Sequence, residues 1–271
     1  MAVIVKDGQQ TWRRRQTGHQ LAVWFGWLVG VAIFVACWQL ISEKTTWLFV
    51  WDAPTQAGDL ASRMVPPKWG YINELWLPIW DTINIATLGT VLAIIFAVPI
   101  AFAAANNTTP SVVFVRPVAL FIIVASRSIN SLIWALMLVT IVGPGVFAGI
   151  LAIGFRSIGF CAKLLYEAIE EIDERQVEAV RASGASSAQV MAYGIVPQIM
   201  PSFAGISVFR WDINIRESTV LGLVGAGGIG LQLSASIMNL AWTQVSLILL
   251  VIIATVIVSE WVSAKVRYAI I

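Results

Sequence analysis

The sequence predicts an all-α, polytopic membrane protein with about six transmembrane helices, and three observations carry that prediction. Of 271 residues, 58% are hydrophobic and only 12% are charged, about half the share of roughly 25% found in an ordinary soluble domain. Apolar segments long enough to cross a bilayer, which takes roughly 20 residues, recur along the whole chain. Basic residues gather beside those segments, as the positive-inside bias of membrane proteins requires. The net charge of +2 is too small to mark a nucleic-acid partner. Six spans leave little chain for a second, water-soluble fold, so 1–271 reads as a single transmembrane domain in contact with lipid.

Arg13, Arg14 and Arg15 precede the first apolar run, 21–41. Its length and its lack of a small-residue cleavage site make it a retained span and not a signal peptide. A longer polar connection follows at 42–80, where Lys44, Arg63 and Lys68 are balanced by Glu43, Asp52, Asp59 and Glu74. The second span is 82–105, and Asn106 to Pro110 forms a turn. The third segment, 112–143, is longer than one crossing needs and is broken at Arg127-Ser128-Ile129-Asn130. An ionisable group at membrane depth is costly, so such a break is expected to line a cavity or a protein interface.

Gly143-Pro144-Gly145 turns the chain into the fourth span, 146–165, and the fifth and sixth lie at 203–224 and 243–263. Between the fourth and fifth, 166–201 is polar and carries Arg175 and Arg181; the tail carries Lys265 and Arg267. Placing these basic stretches and the N-terminus in the cytoplasm puts both termini inside and 42–80 outside. Trp24, Trp47, Trp51, Trp76, Trp80, Trp242 and Trp261 fall near span ends, where an indole favours the headgroup region.

The 166–201 stretch reads as two short amphipathic helices. Ile169, Ile172, Val177 and Val180 supply the apolar face of the first, Gly184 ends it, Ser186 or Ser187 caps the second, and that helix stops before Pro197. Glu178, Ala179, Gly184 and Pro197 fall at the spacing of the EAA loop of ABC-importer permeases, which this stretch resembles. Val180, Gly194 and Val196 depart from the family's pattern of Ala, Ile and Leu at those places. The resemblance implies two coupling helices seated in a cleft on a separate ATPase.

Arg127-Ser128-Ile129, Leu165 to Asp173, Glu178 to Ser186, and Arg216 to Gly230 are similar to the phosphonate ABC-importer permease family, over roughly 110–235. That family often has Pro-Glu where Asn130 and Ser131 stand here. The resemblance implies an ABC type I importer fold like that of methionine permeases. It also implies a homodimer in the cell inner membrane, two ABC ATPase subunits and an external phosphonate-binding protein. The cargo it implies is a phosphonate or related phosphorus oxyanion.

The fifth span holds Arg210, Asp212, Arg216 and Glu217, a set that must face protein or water. At helical spacing Arg210, Asn214 and Glu217 share one face and Asp212 and Arg216 pair on another. Two readings stay open: these charges neutralise one another and staple helices together, or Arg127 and Arg210 offset the desolvation of an anion. The expected route or gate therefore comprises Arg127, Ser128, Asn130, Arg210, Asn214, Arg216, Glu217 and Ser218.

Other signals point away from chemistry. Gly225-Ala226-Gly227-Gly228-Ile229-Gly230 fits G-x-G-x-x-G, but follows an apolar span with no βαβ context. In the resembled family it is a tight bend after the gate-bearing helix. No phosphate-binding loop with a lysine is present, so ATP and Mg are expected on the partner ATPase, with no cofactor in this chain and no enzyme activity of its own. His19 has no partners spaced for a triad or a metal, and Cys37 and Cys161 read as buried thiols. Gly26-xxx-Gly30 and Gly145-xxx-Gly149 read as packing sites. The rival readings are the same machine for another solute such as methionine, a channel, which would not need the 178–197 pattern, and a membrane-embedded enzyme, which should show a catalytic cluster that the sequence does not offer.

Overall fold

The structure, a computed structural model, describes residues 2–6, 9–13 and 17–270; Arg14 and Arg15 of the basic N-terminus lie outside them. The chain divides into two compact units, Met1–Ser62 and Arg63–Ile271. The first opens with an antiparallel hairpin of β1 (Ala2–Lys6) and β2 (Gln9–Arg13), in which Ala2 faces Arg13. Sequence patterning did not signal this hairpin. Helix α1 (Thr17–Lys44) follows, then α2 (Trp47–Met64). The apolar window of α1 buries nothing inside the chain. Cys37, expected to be buried, is exposed. Trp47 donates from Nε1 to the Ser42 carbonyl at 3.2 Å and its ring lies 6.4 Å from that of Trp38, tying the end of α1 to the start of α2.

The second unit contains α3 (Ile72–Ala104), α4 (Val115–Ser128), α5 (Ser131–Val142), α6 (Val146–Glu170), α7 (Glu174–Ala182), α8 (Ser187–Val190), α9 (Val196–Leu221), α10 (Ile229–Met238) and α11 (Trp242–Ile270). By length and composition five of the chain's described helical segments can cross a membrane, or six when α4 and α5, bent by 87°, count as one broken span. That break falls at Ile129-Asn130, and the Asn130 side chain caps α5 by accepting from the Leu132 amide at 3.0 Å.

Two boundaries differ from the sequence reading. The 42–80 connection is largely helical, because α2 occupies its middle and α3 begins ten residues before 82. Glu74 and Asp81 lower the hydropathy there without breaking the helix. With 33 residues at about 1.5 Å each, α3 reaches about 50 Å, beyond a hydrocarbon core of roughly 30 Å.

Small residues set the packing. On α3, Ala86, Gly89, Ala93, Ala97 and Ala101 form a stripe at helical spacing and are buried. They meet Gly149, Ala152, Ile153, Cys161 and Ala162 on α6, also buried. A Cβ at Gly89 would stand 2.8 Å from Ile153 Cγ2. Close backbone approach of this kind substitutes for the hydrophobic driving force that lipid removes between helices. A second apolar cluster, of Tyr71, Leu75, Ile229, Leu247 and Ile248, joins the start of α3 to α10 and α11.

Candidate functional site

Two groups of side chains stand out, an elbow at one end of the bundle and a polar cluster inside it. At the elbow, α6 ends at Glu170, which accepts from the Asn106 amide at 2.8 Å and pairs with Arg116 at 3.6 Å, while Asn107 donates to the Ile169 carbonyl. Asp173 caps α7, accepting from the Arg175 amide at 3.0 Å. Val177 is buried, and Ile172 and Val180 pack with it against the core of α3, α6 and α9. This leaves Glu178 and Ala179 on the exposed face of α7.

Gly184 adopts φ +83°, and its amide donates to the Arg181 carbonyl at 3.0 Å. The left-handed conformation stops α7 and costs a residue with a Cβ about 1–2 kcal/mol. Ser186 and Gln189 then form a capping box on α8. The second helix does not stop before Pro197 as expected. It continues through a π-helical turn, Met191–Ile195, into α9, where Pro197 lies in the first turn. A proline there interrupts little, because the last π-turn bond is made by the Val196 amide to the Met191 carbonyl and the next residue, Pro197, has no N–H to place. Gln198 accepts from the Asp173 amide at 3.0 Å and donates to the Gly194 carbonyl at 2.6 Å. The start of α7 is thereby fixed to the start of α9, so a push on the elbow reaches a long helix of the bundle.

The second group lies between α3, α6 and α9. Asn214, fully buried, donates to Thr90 Oγ1 at 2.7 Å and accepts from Ser157 Oγ at 3.2 Å. Ser157 accepts from Arg210 Nε at 2.8 Å. Arg210 is 2% exposed, reaches both carboxylate oxygens of Glu217 at 3.5 Å through Nη2, and lies 5.0 Å from the centre of the Phe160 ring. Glu217 also accepts from Arg156 of α6, and Arg156 Nη1 stands 3.4 Å from Ser131 Oγ at the start of α5.

On the opposite face of α9, Arg216 pairs with Asp212, which accepts from Ser259 of α11 at 2.9 Å. Ser218 is buried and donates to the Ile215 carbonyl. Arg127, Ser128 and Asn130 sit together at the α4–α5 corner and are exposed. The residues expected along a route are thus split. Arg210, Asn214 and Glu217 form one network inside the bundle, Asp212 and Arg216 another, and the Arg127 corner stays open.

Arg156, Ser157, Ser131 and Thr90 belong to this network and were not singled out from sequence. Arg156 carried a usable signal, a lone charge in the middle of an apolar span. Its partners lie 25 and 61 residues away, beyond any local spacing rule.

The glycine-rich bend after α9 brackets the same region. Gly225, Gly227 and Gly228 all have positive φ. At Gly228 a Cβ would stand 2.6 Å from Thr82 Oγ1, which accepts from the Ile229 amide at 2.8 Å. The bend is a tight chain reversal pressed onto α3 and not a phosphate cradle.

Residues 97–266 match the family described as binding-protein-dependent transport system inner membrane component. The chain is 38% identical over 254 residues to the phosphite transport system permease protein PtxC of Stutzerimonas stutzeri, covering 93% of this chain and 89% of that one. From the same organism, the putative phosphite transport system permease proteins HtxC and HtxE are 36% and 39% identical. HtxC aligns over 77% of this chain and 73% of its own length, and HtxE over 52% and 54%. Among solved structures, the inward-facing MetNI methionine ABC transporter superposes with a TM-score of 0.63 at 20% identity, over 73% of this chain and 96% of that one. The fold is that of a type I ABC importer permease, and relatives of this kind are transport components and not enzymes. The chain belongs to the family of binding-protein-dependent transport system inner membrane components.

Proposed function

We propose that this permease carries a phosphonate, phosphite or related phosphorus oxyanion across the inner membrane. The observation that carries the reading is the 38% identity to a phosphite permease, which spans 93% of the chain and not only the coupling loop shared by all such permeases. The electrostatics agree: Arg156 and Arg210 face a single carboxylate, Glu217, so the network inside the bundle has a formal charge of +1. A desolvated anion is better served by such a site than a zwitterionic amino acid is.

An importer permease works with an ATPase and a substrate-binding protein. The elbow at 166–201, with Glu178, Ala179, Gly184 and Pro197, is the proposed seat of the ATPase, which binds the ATP and Mg; two copies of each subunit make the machine. With α4 and α5 taken together as one broken crossing, four crossings precede the elbow and two follow it. A cytoplasmic elbow therefore puts both termini in the cytoplasm and the α1–α2 connection outside. The two permeases are proposed to be identical. The pair HtxC and HtxE in one organism makes two different permease chains the alternative arrangement. ATP-driven closure of the ATPases would push the elbow, and through Gln198 and the π-turn the push would reach α9 and its charged network.

The test is ATPase activity of the complex reconstituted in proteoliposomes with its binding protein, stimulated in turn by a phosphonate, phosphite, phosphate and methionine. Stimulation by the phosphorus oxyanions and not by methionine is expected. Stimulation by methionine alone overturns the substrate reading, and solute flux that persists without ATP makes the protein a channel.

A further inference from the structure

Inside the bundle, Arg156, to which the spacing of charges along α9 does not point, is more open than Arg210. We propose that Arg156 is the anion-contacting residue of the route, and that Glu217 is its resident counter-ion, exchanged for the substrate as the substrate passes. The inference rests on the oxyanion reading above and deepens it.

Two observations point to Arg156 over Arg210. Its side chain is 31% exposed, against 3% for Arg210, so one guanidinium is open and the other sealed. Among the described residues its recorded hydrogen bonds all run through Nη1, to Glu217 and to Ser131. A guanidinium has five N–H donors in a rigid fork. The Nε and Nη2 edge of Arg156 is therefore a two-pronged donor pair with no protein acceptor among the described residues, the shape that meets two oxygens of a phosphorus oxyanion. Arg210 differs in each respect: its Nε is taken by Ser157, its Nη2 by Glu217, and its face by Phe160.

Glu217 completes the device because it has two holders. One carboxylate oxygen accepts from Arg156, and both oxygens lie 3.5 Å from Arg210 Nη2. An oxyanion arriving on the open Nε/Nη2 edge competes with the carboxylate on Nη1 for the same positive charge and loosens it without stranding it, since Arg210 keeps it paired. When the anion leaves, the carboxylate returns. Without that competitor, a bare arginine at membrane depth would hold a doubly charged anion too long for transport. Ser131, 3.4 Å from Arg156 Nη1, adds a hydroxyl beside the Asn130-capped start of α5, where helix amides bias the site further toward an anion.

The test uses the full complex in proteoliposomes and phosphite as the probe. Arg156→Gln is expected to cut phosphite uptake at least tenfold at preserved complex yield, and Arg156→Lys, which keeps the charge and loses the fork, to fall between. Glu217→Gln is expected to retain phosphite on detergent-solubilised complex without binding protein, several-fold above wild type, while slowing uptake. The double variant Arg156→Gln/Glu217→Gln keeps a neutral hydrogen-bonding pair and so guards against a simple folding defect. Its uptake stays lost if Arg156 contacts the anion. Recovery in the double, or wild-type uptake in Arg156→Gln, overturns the proposal while the oxyanion reading stands. A wild-type complex that ignores every phosphorus oxyanion overturns the oxyanion reading itself.

Discussion

Arg210 is held by three different kinds of contact at once: a hydroxyl at Ser157, a carboxylate at Glu217 and the face of Phe160. In a medium that supplies no water, each of these replaces a hydration bond the guanidinium would otherwise lose. Removing the charge leaves Ser157 without its donor and Glu217 with Arg156 alone. Breaking a buried pair costs roughly 3–5 kcal/mol, and the second arginine keeps the loss near the lower end. Arg210→Gln is therefore expected to lower the thermal midpoint and the yield of the purified complex in detergent, with uptake falling in proportion to yield. Uptake lost at full yield would instead assign Arg210 to the route. Helical spacing in the sequence is enough to pair Arg210 with Glu217 and Asp212 with Arg216, because those partners lie within two turns of α9. It cannot reach Ser157, Thr90 or Arg156, whose places in the network depend on how α3 and α6 dock.

A helix can be legible while its neighbour is not, for a physical reason in each case. The α4–α5 corner shows in the sequence because Arg127 and Asn130 interrupt an apolar run. The continuation of α8 into α9 does not, because Pro197 reads as a stop and is compatible with a first turn. The elbow itself is legible in Gly184, and that residue allows a clean separation of backbone from side-chain effects. A Cβ there would meet nothing within 4 Å, so only its φ of +83° resists substitution. Gly184→Val is expected to abolish co-purification with the ATPase, and uptake with it, while the amount of permease in the membrane is unchanged. Gly184→Asn, which tolerates the left-handed region, should keep most of both. Equal behaviour of the two variants in a pull-down would show that elbow geometry is not what the ATPase reads.

At the scale of the whole molecule, the order of crossings could be laid out from hydropathy, but what surrounds each helix could not. Hydropathy reports transfer out of water and is blind to whether lipid or protein receives the side chain. Cys37 and Cys161 illustrate this: both lie in apolar stretches, yet the first is exposed and the second buried. The same contrast supplies a test of the two-permease arrangement. In α9, Ser218 is fully buried within the chain while Val220 is 50% exposed, and both stand next to the glycine-rich bend. If α9 of one subunit approaches α9 of another at the central pathway, a cysteine at 220 meets its counterpart and one at 218 does not. With Cys37 first changed to serine, Val220→Cys is expected to give a disulfide-linked dimer of this chain in oxidised membranes, and Ser218→Cys to remain monomeric. Cys161, buried between helices, needs no change and serves as the internal control. A cross-link that forms only to a second, different permease polypeptide would replace the homodimer with a pair of paralogues. No cross-link at 220 in a complex that transports would place the shared axis on another helix.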